Sequence, residues 1–147
     1  DAALLADIDS VVATCCAIKA RIVEQDEFDT GLRMLLNFGH TLGHAVEQHF
    51  GYSCFTHGEG VAIGMYQLTK RTEELGMTAK GSAERIKSVL EKYNLPLTAG
   101  VEKAQLLDTM ARDKKKNGNS ITLIILQQIG EGVLQKVDWQ EVPKYLG

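Results

Sequence analysis

Gly39 and Gly43, in the stretch NFGHTLGHAVEQHF, each stand immediately before a histidine and four residues apart, a helical repeat. A glycine inside a helix costs ~1 kcal/mol relative to alanine, so two in one short helix call for a reason. Without a Cβ, another backbone or a ligand can come close to the chain at these points. Tight packing of a second helix is one such reason, and it leaves the opposite face of the helix free for a site. The run HGEG, His57 to Gly60, has the same small-residue character at a predicted helix start, where free N–H groups and the positive dipole end can face an anion or an oxygen-rich ligand.

Apolar periodicity places these glycines in a mainly α, multi-helical chain. Leu4, Ile8, Val11, Val12, Cys15, Ile18 and Ile22 recur at three- and four-residue steps between Ala2 and Glu27, which predicts one long helix or two in series with a single buried stripe. After DEFDTG, Asn37 is placed to cap a helix over Gly39 to Phe50, and Thr56 to cap another over His57 to Leu75, ended by Gly76. Ser82 opens a helix that closes at NLP, Asn94 to Pro96, and Val101 to Arg112 reads as the next. The period then changes to two in SITLIILQQIGEGVLQKV, a small β-hairpin split near Gly130 to Gly132, and a short helix follows Trp139.

With 147 residues the chain is expected to form a single helical domain, 1–147. The formal net charge of -3, with both signs interspersed, gives no footprint for nucleic acid or an anionic membrane. The apolar runs are far shorter than the ~20 residues that span a bilayer, so a cytoplasmic protein is expected. Three cysteines, two of them adjacent, make no disulfide framework; reduced, helix-buried thiols are expected. Opening at Asp1 directly into an amphipathic segment suggests a piece excised from something longer.

All four histidines lie between His40 and His57. On a helix His40 and His44 share a face, one turn apart, with Glu47 beside them, while His49 falls off it. A short loop can return the next helix alongside the first and bring His57 to the same place. Three imidazoles suit a catalytic zinc with an open position, although spacing alone leaves satisfied surface or core histidines as the alternative. Lys19, Arg33 and the DKKK run at Asp113 to Lys116 read individually as solvated charges; gathered around the histidines, they can clamp a carboxylate or phosphate.

GLRMLLNFGHTLGHAVE followed by HGEGVAIGM resembles the C-terminal, mostly helical domain of the 3-dehydroquinate synthase family, within the sugar phosphate cyclase superfamily. Supporting stretches are IKARIVEQDEFDTGLR and MARDKKKNGNSITLIILQQIGEG, so the resemblance covers nearly the whole chain. It implies a two-domain enzyme whose N-terminal Rossmann-like half binds NAD. Neither a G-x-G-x-x-G fingerprint nor βαβ alternation occurs in this chain, so no NAD-binding residue is assigned. The resemblance implies His40 and His57 as ligands of Zn2+ or Co2+, with a third ligand, a glutamate, in the other half. It implies His44 as a site histidine near the substrate, and Lys19 and Asp29 as catalytic positions. Arg33, Asn37 and Lys114 or Lys115 are implied as substrate contacts, while Asp29 stands where the family commonly has a glutamate.

The implied activity is conversion of 3-deoxy-arabino-heptulosonate 7-phosphate to 3-dehydroquinate and phosphate in the shikimate pathway. It proceeds through transient oxidation by NAD, loss of phosphate, return of the hydride and an intramolecular aldol closure. The implied partners are a doubly anionic sugar phosphate, the NAD-binding half and a second copy in a homodimer. Two other enzyme readings remain: a cyclase making aminocyclitol precursors, and a metal-dependent alcohol dehydrogenase of the glycerol dehydrogenase type. A reading of another class is a helical assembly module, inactive by itself.

Overall fold

The computed structural model describes residues 2–28 and 31–147, and for Ala3 and residues 112–117 the backbone alone. The described chain is mainly helical with one two-stranded antiparallel sheet, the architecture predicted from periodicity. It divides into two compact units, Asp1–Leu36 and Asn37–Gly147.

The first unit is built on α1, Ala2–Gln25, one uninterrupted helix. Its apolar stripe is not buried as predicted: Ile8 is 37% exposed, Val11 42%, Val12 53% and Ile18 42%. Periodicity identifies an apolar face but not the surface that covers it, and one helix cannot bury its own stripe. Cys15 and Cys16 on this helix, and Cys54 in a later loop, are free as expected but exposed rather than buried in helices. Beyond α1 the Asp26 carboxylate accepts the Gly31 N–H at 2.8 Å and the Arg33 N–H at 3.0 Å, and so pins the entry to a 3-10 helix, Leu32–Asn37.

In the second unit, α2 is His40–His49 and α3 is His57–Glu74. Asn37 does not cap α2. The N-cap is Gly39, at φ 80° with no side-chain hydrogen bond. A Cβ at Gly39 would lie 2.7 Å from the Val61 carbonyl oxygen and 2.6 Å from Met65 Cγ, so the approach of α3 and the left-handed backbone both demand glycine. At Gly43 a Cβ would lie 3.0 Å from the Gly60 carbonyl group, and at Gly60 it would lie 3.2 Å from the Gly43 oxygen. The glycines therefore serve helix packing.

Thr56 caps α3 as predicted, in a full capping box with Glu59. α4, Ser82–Lys92, follows Gly81 at φ 86°, and α5, Lys103–Asn117, runs past the predicted end at Arg112. Strands β1, Ser120–Gln128, and β2, Glu131–Asp138, pair antiparallel with Ile121 opposite Val137 and Ile125 opposite Val133; α6, Val142–Tyr145, closes the chain. Leu42 and Ala45 of α2, Leu68 of α3, Met110 of α5, Leu123 and Ile125 of β1, and Val142 of α6 share one core. A buried Thr72–Thr78 hydroxyl contact of 2.6 Å, with Thr78 donating to the Leu126 carbonyl, ties the α3–α4 turn to the hairpin.

Candidate metal centre

The packing of α2 on α3 brings three imidazoles together. The His40 ring centroid lies 5.5 Å from that of His44 and 5.0 Å from that of His57, and those of His44 and His57 are 5.7 Å apart. The first pair share a face because they are one turn apart on α2. The third histidine is the first residue of α3, whose start is fixed by Thr56 and Glu59. The Glu59 amide donates to Thr56 Oγ1, and Glu59 Oε2 accepts from the Thr56 N–H and hydroxyl, each at 2.8 Å. These bonds, the backbone one foremost, hold the Glu59 carboxyl below its ordinary pKa. His40 is half-buried, while His44 and His57 are exposed.

The three rings are not held alike. His40 Nδ1 lies 3.3 Å from the Phe38 carbonyl oxygen, and His57 Nδ1 lies 3.2 Å from Glu47 Oε2. A carbonyl or carboxylate oxygen only accepts, so each ring donates from Nδ1, and in its neutral form Nε2 is then the lone-pair nitrogen. Histidines that bind metals are commonly tied in this way. His44 makes ring contacts alone among the interactions described for it. It opens onto a cleft of about 220 Å³ whose lining includes Thr41, Gln48, Met110 and Trp139.

Glu47 is the site residue that the sequence places on the His40 face without marking a role for it. Only 7% exposed, it points across to α3 from the third turn of α2. His44, Glu47 and His57 can each offer a donor atom, all within 4.8 Å of one another. Its signal in the sequence was its position seven residues after His40 and three after His44, on the one helical face that already carried ligand-type side chains.

The other predicted site residues fall into three groups. Asn37 is exposed, three residues before His40. Lys19 is exposed on α1, and Arg33 donates through Nη1 to the Glu27 carbonyl oxygen at 2.7 Å within its own unit. Asp29 lies outside the described residues, as do the side chains of Lys114 and Lys115, whose backbone continues α5. His49 packs edge-on against Phe50 at 5.0 Å, away from the three-histidine cluster.

Residues 2–116 match the family described as 3-dehydroquinate synthase C-terminal. The chain belongs to that family. It is 46% identical over 147 residues to the 3-dehydroquinate synthase of Clostridium acetobutylicum, covering 99% of this chain and 41% of that protein. It is 39% identical over 144 residues to that of Enterococcus faecalis, covering 97% and 40%. The chain thus spans about 40% of the length of these curated relatives. Among solved structures it resembles a 2-deoxy-scyllo-inosose synthase complexed with carbaglucose-6-phosphate, NAD+ and Co2+. There the TM-score is 0.76 and the identity 19%, over 95% of this chain and 40% of that one. It also resembles a 2-epi-5-epi-valiolone synthase from Streptomyces hygroscopicus with NAD+ and Zn2+ bound, at TM-score 0.69 and 20% identity, over 85% and 35%. At such identities the structural likeness speaks for the fold alone. Among the described residues no helix is long and apolar enough to cross a membrane.

Proposed function

We propose that this chain is the metal- and substrate-binding part of a 3-dehydroquinate synthase, acting on 3-deoxy-arabino-heptulosonate 7-phosphate together with an NAD-binding part beyond these residues. The observation that carries the reading is the unequal tethering of three adjacent imidazoles. His40 and His57, each held through Nδ1, present Nε2 as ligand atoms, and two imidazoles suit a divalent Zn2+ or Co2+. A bound ion of that kind supplies Lewis acidity at a substrate hydroxyl. His44, exposed beside them and without a hydrogen bond among the described residues, is placed to accept or return a proton at that oxygen. Lys19, Arg33, Asn37 and Lys114 or Lys115 bind the carboxylate and phosphate of the substrate, and Asp29 supplies a carboxylate; their contribution is to orient.

The test is turnover by the full-length protein with NAD and Zn2+, read as release of inorganic phosphate from 3-deoxy-arabino-heptulosonate 7-phosphate. Dehydroquinate should appear with it. His44→Ala should lower kcat about 10²-fold or more with the metal still bound, the usual scale for losing a general acid–base group. The 147-residue chain by itself should turn over nothing. Turnover of a hexose phosphate instead would move the assignment to a cyclase making aminocyclitol precursors, and turnover of neither would refute both.

A further inference from the structure

Glu47 is a carboxylate at a 7% exposed position, in a helix whose neighbouring face carries the site, and the proposed chemistry does not use it. A buried carboxylate is costly unless a donor meets it. The donor described for it is the imidazole of His57, ten residues away across the α2–α3 loop, at 3.2 Å. The His57 side chain is 56% exposed and that of Glu47 9%, so the two ends of the contact face different surroundings. Anything arriving from solvent meets the imidazole before it meets the carboxylate. Carboxylate and imidazole therefore stand in series from the interior outward.

The helix interface keeps that series in place. A Cβ on Gly60 would lie 3.3 Å from Glu47 Cγ as well as 3.2 Å from the Gly43 oxygen, so the side chain of Glu47 runs directly over the backbone of the first turn of α3. That leaves the carboxylate little room to swing outward. His40 has the same arrangement with a backbone carbonyl in place of a carboxylate, whereas His44 has neither among the described residues.

Resting on the metal reading above, we propose that Glu47 is the positioning residue of this centre. It accepts the Nδ1 hydrogen of His57, fixes that ring's tautomer and direction, and raises the basicity of Nε2 toward a divalent cation without itself coordinating the ion. The geometry that brings His44, Glu47 and His57 within 4.8 Å is thus that of a ligand and its support, and not of three ligands.

Two measurements on the 147-residue chain decide this, the first without metal. Long-range 1H–15N correlation of the imidazoles at about pH 8, above the ordinary imidazole range, should show His57 as the Nδ1–H tautomer. In Glu47→Ala it should shift toward Nε2–H, and Glu47→Gln, which keeps an acceptor oxygen of the same reach, should hold it. The second is Zn2+ affinity by chelator competition. Glu47→Ala should weaken binding by ~10- to 100-fold, the usual effect of removing a ligand's hydrogen-bond partner, and Glu47→Gln should recover most of it. Far-UV circular dichroism identifies any variant that fails to fold, and the isosteric Glu47→Gln keeps the test usable if Glu47→Ala does. A wild-type tautomer and affinity in Glu47→Ala would overturn the proposal. So would a Zn2+ X-ray absorption shell with one oxygen fewer in Glu47→Gln, which would make Glu47 a ligand. His40→Ala and His57→Ala variants that bind Zn2+ as the parent does would instead refute the metal reading, while the tautomer comparison would still judge the Glu47–His57 bond.

Discussion

The most informative perturbation of the fold is Gly64→Ala, in the middle of α3. On propensity alone it should stabilise, since alanine in a helix interior is favoured over glycine by ~1 kcal/mol. The structure predicts the reverse. A Cβ there would overlap the Gly39 carbonyl oxygen, lie 2.9 Å from the Gly39 carbonyl carbon and 3.1 Å from the Gly43 amide nitrogen. All three are backbone atoms and cannot rotate away. Against a carbon contact of ~3.5 Å the shortfall is at least about 0.6 Å, which the α2–α3 interface must absorb by parting. Overpacking costs ~1–3 kcal/mol; against three backbone atoms the upper end, about 2–3 kcal/mol, applies here, and the propensity gain of ~1 kcal/mol offsets only part of it. The expected net loss is about 1–2 kcal/mol, or a fall in Tm of roughly 3–8 °C for a chain of this size. Gly58→Ala is the control, since nothing lies within 4 Å of a Cβ there. Urea titrations of both variants should show Gly64→Ala with a lower midpoint than the parent and Gly58→Ala with an equal or higher one. A Gly64→Ala protein as stable as the Gly58→Ala protein would refute the claim that glycines set the helix spacing.

Other outcomes follow from single contacts. Thr56→Ala removes the cap of α3 and should cost about 1 kcal/mol, read as a lower urea midpoint. Zn2+ titration should show His40→Ala and His57→Ala each binding at least about tenfold more weakly, with His49→Ala unchanged. The Glu73 carboxylate accepts the N–H groups of Ala83 and Gly81 at 2.9 and 2.8 Å, bonds that hold it below its ordinary pKa of 4.5. A carboxyl depressed on folding contributes stability above its unfolded pKa and loses it as pH falls through the folded value. Glu73→Gln should therefore be less stable than the parent at neutral pH, with the gap closing below about pH 4.5, as acid unfolding curves of the two would show.

The elements legible in the sequence were those specified locally. Thr56 and Glu59 satisfy each other within one turn, so the start of α3 needed no tertiary knowledge. The change of period at Ile121 gave the hairpin, and the four-residue spacing gave His40 and His44 a common face. What misled was decided across the fold. Asn37 is a good capping residue, yet Gly39 takes the position because α3 presses on the backbone there. The stripe on α1 is apolar as read, and its exposure depends on a covering surface that periodicity cannot name. Glu47 could be placed on the histidine face, but its partner stands beyond a loop whose path no local rule supplies.

The glycines and the histidines belong to one device. Gly43 and Glu47 are one turn apart on α2, and His57 and Gly60 lie within one turn on α3, so the face that packs through glycine is continuous with the one that carries the carboxylate and its imidazole. The distance between Gly43 and Gly60 therefore sets the 3.2 Å contact between Glu47 and His57 and the 5.0 Å separation of the His40 and His57 rings. A methyl group at Gly43 or Gly60 acts on both at once, because backbone atoms at 3.0–3.2 Å must yield before it fits. Stability and metal affinity should then fall together in Gly43→Ala, whereas Glu47→Gln, which leaves the spacing untouched and keeps an acceptor oxygen, should retain the parent's stability and most of its affinity. If Gly43→Ala lost stability and kept the parent's Zn2+ affinity and His57 tautomer, the helix spacing and the site geometry would be independent, and the glycines would have to be explained by packing alone.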